Sequence, residues 1–119
     1  NAQPAYPAAI PGVIAVTAVD RQESVFGQAN RGDYIALAAP GVGILTTAPR
    51  GAFQLSSGTS LATAHASGVI ALLLAANRQA FTPEVLNRTA VDLGKPGRDS
   101  DYGFGLINTE QALRSIAVP

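Results

Sequence analysis

The stretch SSGTSLATAHASG, residues 56–68, opens the longest apolar segment of the chain and decides how the fold is interpreted. Ser60 stands among very small residues, and His65, the single histidine of the sequence, follows five positions later. Two interpretations are open. Ser60 is either a nucleophile presented at the start of a helix, or the N-cap residue that helices commonly take from serine and threonine.

A serine nucleophile has chemical requirements that this segment meets in part. A hydroxyl attacks only when a base removes its proton, and the developing oxyanion needs hydrogen-bond donors. The free N–H groups and the positive dipole end at a helix N-terminus favour negative charge, and the small Gly58 and Ala62 leave room for a peptide. His65 does not serve as the base on this spacing, because five helical residues turn it about 140° away from Ser60.

The composition describes a neutral chain of one domain. Its 119 residues are 47% hydrophobic, and eight Lys+Arg balance eight Asp+Glu. That balance argues against a protein that binds nucleic acid or an anionic membrane, because such proteins usually carry a basic patch. Cysteine is absent from the sequence, so disulfides and cysteine metal sites are excluded. The longest apolar run, near residues 69–76, is short for a membrane span. The chain starts at Asn1 without a signal-peptide pattern, so we expect it to begin inside a longer gene product.

Hydrophobic patterning predicts strands followed by a long helix. The β-branched run at residues 13–19 predicts a strand buried on both faces, and residues 34–41, 42–49 and 51–58 predict three short strands. From Ser60 to Asn77 the sequence is apolar almost all round, which is typical of a helix buried at the centre of a protein.

Two shorter helices are predicted after the central one. Residues 82–94 form an amphipathic pattern with Thr82 as cap, a proline in the first turn and Gly94 as the end. The last helix is predicted after Asn108, which forms a capping box with Gln111 three residues on.

Four segments, in the same order along the chain, carry motifs of one protein family. GTSLATAHASG resembles the nucleophile segment of the subtilisin-like serine proteases, or subtilases, with its Gly-Thr-Ser triplet before the long central helix. YPAAIPGVIAVTAVD resembles the family's Tyr-Pro turn and core strand. YIALAAPGVGILTTAP resembles its Ala-Pro-Gly segment, and YGFGLINTEQAL resembles the entry to its closing helix. The resemblance implies an α/β fold, namely the C-terminal portion of a three-layer α/β/α domain with a mostly parallel sheet.

The same resemblance implies roles for individual residues. Ser60 would be the acyl-forming nucleophile, and its backbone N–H would contribute to the oxyanion hole. His65 matches a structural histidine of the family, and Ala64 stands where the family usually has proline. The substrate-binding residues that the resemblance implies are Ser56, Ser57, Gly58 and Thr59.

The resemblance also implies that part of the catalytic machinery lies outside this sequence. In subtilases the catalytic Asp and His, and the Asn of the oxyanion hole, precede the Tyr-Pro turn at which this chain starts. We therefore interpret residues 1–119 as the C-terminal half of a catalytic domain. Alone it is expected to be inactive, because losing triad members costs roughly 10⁴–10⁶ in kcat. The aspartates match no triad motif and are predicted to be loop or cap residues: Asp20, Asp33, Asp92, Asp99 and Asp101.

Two functions follow as hypotheses. The first is a serine endopeptidase at the level of the full-length protein. The alternative is a non-catalytic subtilase-like scaffold or interaction domain, and the residues upstream in the gene distinguish the two. A lipase-like hydrolase is disfavoured, since GTSLA lacks the second glycine of that nucleophile turn.

Partners, cofactors and location follow from the same interpretation. A central helix that is apolar all round leaves a large apolar patch when it is not covered. We therefore expect a partner: the missing N-terminal half, or a second copy of the chain in a homo-oligomer formed, for example, by strand exchange. The substrate is a polypeptide, and no cofactor is expected, although the carbonyls of Ala8, Ile10 and Val13 resemble a weak calcium site of the family. Family habit implies a secreted or cell-envelope protein.

Overall fold

A parallel pair of strands forms the centre of the fold. The computed structural model describes residues 3–117 and pairs β1 (Val16–Val19) with β2 (Leu37–Pro40) in parallel. Leu106 extends this sheet on the other side of β2 through a parallel bridge to Ala38, and Leu106 also forms an antiparallel bridge to Val91. The predicted strand at residues 13–19 therefore begins later than expected. Val13 is 45% exposed, and burial on both faces holds for residues 17–19.

The long helix α1 (Thr59–Asn77) packs on this sheet along one stripe. Its buried residues are spaced by four, three and four positions, which places them on one side of the helix: Ala62, Ala66, Val69 and Leu73. They join Ala18, Leu37 and Ala39 of the strands in one hydrophobic core. The opposite side of α1 is exposed, with Leu72 at 56%. This agrees with the expectation that α1 exposes an apolar patch when it is not covered, because no element within residues 3–117 covers that side.

Helix α1 is also long and apolar enough to cross a membrane, which the short apolar run at residues 69–76 did not suggest. Polar residues such as Thr63 and Ser67 precede that run within α1, yet the hydropathy of the whole helix stays high. Core helices of soluble proteins meet the same criterion. Here the stripe from Ala62 to Leu73 packs on the sheet, and 22% of the segment is buried.

Helices α2 (Pro83–Thr89) and α3 (Thr109–Ile116) pack against each other, and α3 also contacts α1. The predicted end of α2 at Gly94 is wrong. The chain leaves the helix early because Val91 exchanges backbone hydrogen bonds of 2.8 and 2.9 Å with Leu106. Asn108 caps α3 as predicted, since its Oδ1 accepts the Gln111 N–H at 3.0 Å. Thr82 holds the cap position of α2 without a capping side-chain hydrogen bond.

An antiparallel hairpin connects the sheet to α1. Its strands β3 (Ile44–Ala48) and β4 (Ala52–Ser56) are joined by a tight turn at Pro49–Gly51. They contact mainly each other, so the hairpin projects from the body of the domain. The predicted strands at residues 34–41, 42–49 and 51–58 are thus confirmed in shortened form.

Candidate active site

The start of α1 is fixed at the carboxyl ends of the two parallel strands. The chain leaves β2 at Gly41, whose N–H donates to the Val19 carbonyl at the end of β1 at 3.1 Å. The Gly41 carbonyl in turn accepts the Gly58 N–H at 2.7 Å, directly before α1 begins. Open α/β sheets bind their ligands at this edge. The segment that holds Ser60 therefore lies where the fold favours a site.

Gly41 makes this approach possible because it has no side chain. A Cβ atom at that position would lie 2.6 Å from the Ala18 Cβ, 2.8 Å from the Gly58 carbonyl oxygen and 3.1 Å from the Ala62 Cβ. The strand end, the turn at residues 56–59, which leads to the candidate nucleophile and is called the nucleophile turn below, and the helix therefore meet at a point that no larger residue fits. Sequence analysis did not single out Gly41. The available signal was a glycine placed directly after a buried strand.

Ser60 is the second residue of α1, and Gly58 takes the N-cap position. The interpretation of Ser60 as the helix cap is therefore wrong. Ser60 is exposed, and its hydroxyl forms no hydrogen bond with any residue of the described chain. The fold thus leaves this hydroxyl accessible and uncommitted.

Two backbone donors lie beside this hydroxyl. The Gly58 carbonyl accepts the N–H groups of Leu61 and Ala62, at 3.1 and 3.5 Å, and thereby starts the helix. The N–H groups of Thr59 and Ser60 have no acceptor within residues 3–117, as is normal for a first helical turn. Free N–H groups at a positive helix end are suited to stabilise an oxyanion next to the hydroxyl.

The predicted substrate-binding residues form the turn that leads into α1. Ser56 ends β4 and is half-buried, as are Gly58 and Thr59. The Ser57 hydroxyl accepts the Gly43 N–H at 2.9 Å, so this side chain braces the base of the hairpin against the turn. Their roles toward a substrate stay predictions, whereas the role of Ser57 within the fold is visible.

His65 lies on α1, exposed, and makes neither a hydrogen bond nor an ion pair with the described residues. Four of the five aspartates bind within loops or form an ion pair there, as expected. Asp20 accepts the N–H groups of Gln22 and Ser24, Asp92 accepts that of Gly97, and Asp101 pairs with Arg31 at 2.8 Å. Over the described ranges, no acidic or basic side chain hydrogen-bonds the Ser60 hydroxyl.

Asp99 organises the glycine-rich loop behind the sheet. Partial burial acts to raise its pKa, but the backbone N–H groups of Tyr102, Asp101 and Lys95, together with the Lys95 charge, outweigh burial. The pKa of Asp99 is therefore lowered from 3.8. The carboxylate is a structural acceptor for this loop and not a catalytic group.

A sizeable cleft lies elsewhere on the chain. It has a volume of about 620 Å³ and is lined by the Arg31–Asp101 pair, Asp33 and Tyr34, and it includes none of residues 56–60. This cleft also contains a serine, Ser100, but none of its lining residues belongs to the segment that leads into α1. Ser60, in contrast, has an exposed hydroxyl beside two free N–H groups at the start of that helix. We therefore place the candidate active site at Ser60.

The turn that resembles a weak calcium site has only carbonyl oxygens to offer. Residues 4–13 contain no carboxylate. The Ile10 carbonyl already accepts the Val13 N–H at 3.1 Å, although its second lone pair stays available. Calcium sites usually combine carbonyls with carboxylates, so this donor set fits a calcium ion poorly. No step of the chemistry is assigned to a cation.

An exposed serine stands at the start of a central helix, at the carboxyl edge of a parallel sheet, which is the placement that a serine hydrolase would require. The model of the subtilase family matches residues 1–105, and the chain belongs to this family of serine proteases. The predicted family and α/β fold are thereby confirmed.

Three relatives illustrate the match. The minor extracellular protease Epr of Bacillus subtilis (strain 168) is 37% identical over 105 residues, which are 86% of this chain and 16% of that protein. Fervidolysin from Fervidobacterium pennivorans, a keratinolytic enzyme related to subtilisin, has a crystal structure that matches 92% of this chain with a TM-score of 0.82 at 34% identity. A lanthipeptide protease matches 92% with a TM-score of 0.81 at 29% identity.

The chain spans a minor part of each of these relatives. It covers 20% of the fervidolysin structure and 43% of the lanthipeptide protease structure. The activity, substrates and partners of a whole protease are therefore taken up as proposals.

Proposed function

We propose that these residues are the serine-bearing portion of a subtilase endopeptidase, in which Ser60 is the nucleophile. The observation that carries this proposal is the free Ser60 hydroxyl beside the free N–H groups of Thr59 and Ser60. The identity with proteases at about 35% over most of the chain supports the same assignment.

The chemistry would be acyl transfer. The Ser60 oxygen attacks the scissile carbonyl carbon while a base takes the hydroxyl proton, and the peptide nitrogen leaves with that proton. Water then attacks the ester, which releases the acyl group and restores the serine. The free Ser60 N–H would donate to the oxyanion in both steps, and Ser56, Ser57, Gly58 and Thr59 would line the adjacent substrate path. This chemistry requires no cofactor.

The base would come from outside residues 1–119. His65 is five positions further along the same helix, and four aspartates bind within loops or pair with Arg31. The fifth, Asp33, lines a cleft that includes none of residues 56–60. We infer that the chain forms the C-terminal half of the catalytic domain and that alone it lacks useful peptidase activity. Removal of triad members costs roughly 10⁴–10⁶ in kcat.

A partner would complete the fold as well as the site. The exposed side of α1 is apolar, and a parallel pair as small as β1–β2 is normally covered by further elements. We propose that the missing N-terminal half of the domain covers the exposed side of α1 and the β1–β2 pair. A second copy of the chain, in a strand-exchanged homo-oligomer, is the alternative occupant. By analogy with the extracellular protease Epr, we propose that the full-length protein is secreted or held in the cell envelope.

A non-catalytic scaffold is the second candidate function. The observation that favours it is the absence, over residues 3–117, of any base in hydrogen-bonding contact with Ser60. Such a scaffold would have residues other than Asp and His at the family's upstream catalytic positions.

The deciding experiment is intact-mass spectrometry after treatment with a fluorophosphonate. It compares the full-length gene product, the 119-residue chain, and a Ser60→Ala variant of each. We expect one Ser60-dependent adduct on the full-length product and none on the chain. A full-length product without an adduct would support the scaffold and overturn the peptidase. A Ser60-dependent adduct on the isolated chain would overturn its proposed inactivity.

A further inference from the structure

The hairpin β3–β4 presents an exposed apolar face. After Tyr6, its side chains are the most exposed large hydrophobic groups of the described chain: Leu55 at 73%, and Leu45 and Phe53 at 67% each. Leu45 lies directly opposite Leu55, and Phe53 lies opposite Thr47 in the next pair on the same side. These three large side chains therefore share one face, which we call the hairpin face.

The hairpin face continues into a groove at the base of the hairpin. Leu45 lines this groove, whose volume is about 240 Å³, together with Val42 and Ile44. Its far wall consists of Val19 and Pro40, the last residues of β1 and β2, and of Asp20 and Arg21, which follow β1. The apolar surface thus runs from the projecting hairpin to the edge of the sheet that holds the candidate active site.

The hairpin is also joined firmly to the nucleophile turn. The hydrogen bond from the Gly43 N–H to the Ser57 hydroxyl closes its base at 2.9 Å, and β4 ends at Ser56, just before Ser60. A molecule that lies along the hairpin face and reaches the base of the hairpin therefore arrives at the turn that leads into α1. Between residues 42 and 60 the sole ionisable side chain is Arg50, at the far tip. A partner for the hairpin face is accordingly apolar, and it meets charged side chains at Asp20 and Arg21 on the far wall of the groove.

The size and edges of the hairpin indicate the form of that partner. Side chains of this kind carry on the order of 150–200 Å² each, so the three expose roughly 350 Å². A stable dimer needs about 800 Å² from each partner, so a second copy is disfavoured on this face alone. In the described chain, β3 and β4 pair only with each other. Their outer edges can therefore add an extended strand, whose alternate side chains would meet the hairpin face.

We propose that the hairpin face binds an extended, apolar stretch of the polypeptide substrate beside Ser60. This inference rests on the proposed peptidase function, because it assigns the docked segment to the substrate. It makes the protease selective for substrates that have apolar side chains at alternate positions.

The test measures peptide binding in the Ser60→Ala chain, which cannot consume the probe. The probe is a fluorescein-labelled peptide of eight residues with alternating leucine and serine, and binding is followed by fluorescence anisotropy. We expect the double change Leu45→Ser and Leu55→Ser to weaken binding at least tenfold. The matched control is Leu72→Ser, which removes an exposed leucine from α1 and is expected to leave the affinity unchanged.

Three results would overturn the proposal: unchanged affinity in the double variant, an equal loss in the Leu72→Ser control, or a dimer that the double variant dissociates in sedimentation velocity. The substituted side chains are exposed, so far-ultraviolet circular dichroism is expected to match the parent. If the double variant unfolds, the single Phe53→Ser variant replaces it, with an expected loss of at least threefold.

The fluorophosphonate experiment keeps the two proposals separable. Intact labelling of the full-length product with unchanged peptide binding in the hairpin variants overturns the hairpin inference alone. Absent labelling with hairpin-dependent peptide binding overturns the peptidase and leaves a peptide-binding surface on a scaffold.

Discussion

Replacing Gly41 by alanine tests the contact that fixes the nucleophile turn. The added Cβ would stand 2.6 Å from the Ala18 Cβ and 2.8 Å from the Gly58 carbonyl oxygen, where ordinary contacts are 3.4–4 Å. The turn must therefore move by several tenths of an ångström away from the strand. That movement strains the 2.7 Å hydrogen bond from the Gly58 N–H to the Gly41 carbonyl.

The expected loss of stability comes from crowding and from the strained hydrogen bond. Backbone conformation adds nothing, because Gly41 has no positive φ that an alanine would oppose. Overpacking of a filled core costs about 1–3 kcal/mol, and a weakened buried hydrogen bond adds about 1 kcal/mol. We therefore expect Gly41→Ala to lower the free energy of unfolding by about 2–4 kcal/mol. That is a large part of the about 5–15 kcal/mol typical of a domain.

The assay is urea unfolding followed by circular dichroism, with Gly27→Ala as the matched control. A Cβ at Gly27 meets nothing within 4 Å, and that glycine also lacks a positive φ. The control is expected to stay within about 0.5 kcal/mol of the parent. If the two variants are equally stable, the close approach at Gly41 does not hold the turn and the reasoning is wrong.

Three further predictions concern the helices and the glycine-rich loop. Gly68→Ala on the open side of α1 is expected to stabilise the chain by about 0.5–1 kcal/mol in urea unfolding, because its Cβ meets nothing within 4 Å and alanine favours helix; destabilisation would mean that this side is covered in solution. Asn108→Ala is expected to lower the free energy of unfolding by about 1 kcal/mol in the same urea assay, because α3 loses its cap, whereas Asn108→Asp should retain most of the capping stabilisation. Because the pKa of Asp99 is lowered in the folded chain, its carboxylate stabilises the fold fully above its ordinary pKa of 3.8. This stabilisation is lost as pH falls through the lower folded-state pKa. Urea unfolding at about pH 5 and about pH 2.5 should therefore show a smaller acid loss in Asp99→Asn than in the parent, and identical losses would contradict the assignment.

The local sequence pattern was sufficient to predict most helices and strands, but it did not predict where they end. The apolar segment after Gly58 was predicted as a helix and is one, and Asn108 was predicted as a cap and is one. The helix at residues 83–89 is shorter than its amphipathic pattern, because Val91 is taken by Leu106 from a different part of the chain. Such long-range pairing leaves no mark on the sequence around Val91.

The candidate site shows the same division between local and long-range information. Ser60 was identified by its motif, whereas its exposure depends on Gly58 taking the cap position and on Gly41 holding Gly58. Gly41 is seventeen positions before Gly58 in the printed sequence, so its part in the site emerges only when the chain is folded. The hairpin face likewise depends on the register that sets Leu45 against Leu55, which no pattern in either strand specifies alone.

The place of Leu106 between β2 and Val91 has a consequence for synthesis. The sheet joins Ala38 to a residue made much later, so a nascent chain that stops before residue 106 has β2 open along one edge. Folding that depends on such distant pairing is slow and leaves strand edges exposed meanwhile. We hypothesise that the emerging chain needs a chaperone until residue 106 leaves the ribosome. Limited proteolysis of arrested chains tests this, and full protection of a chain that ends before residue 106 would exclude it.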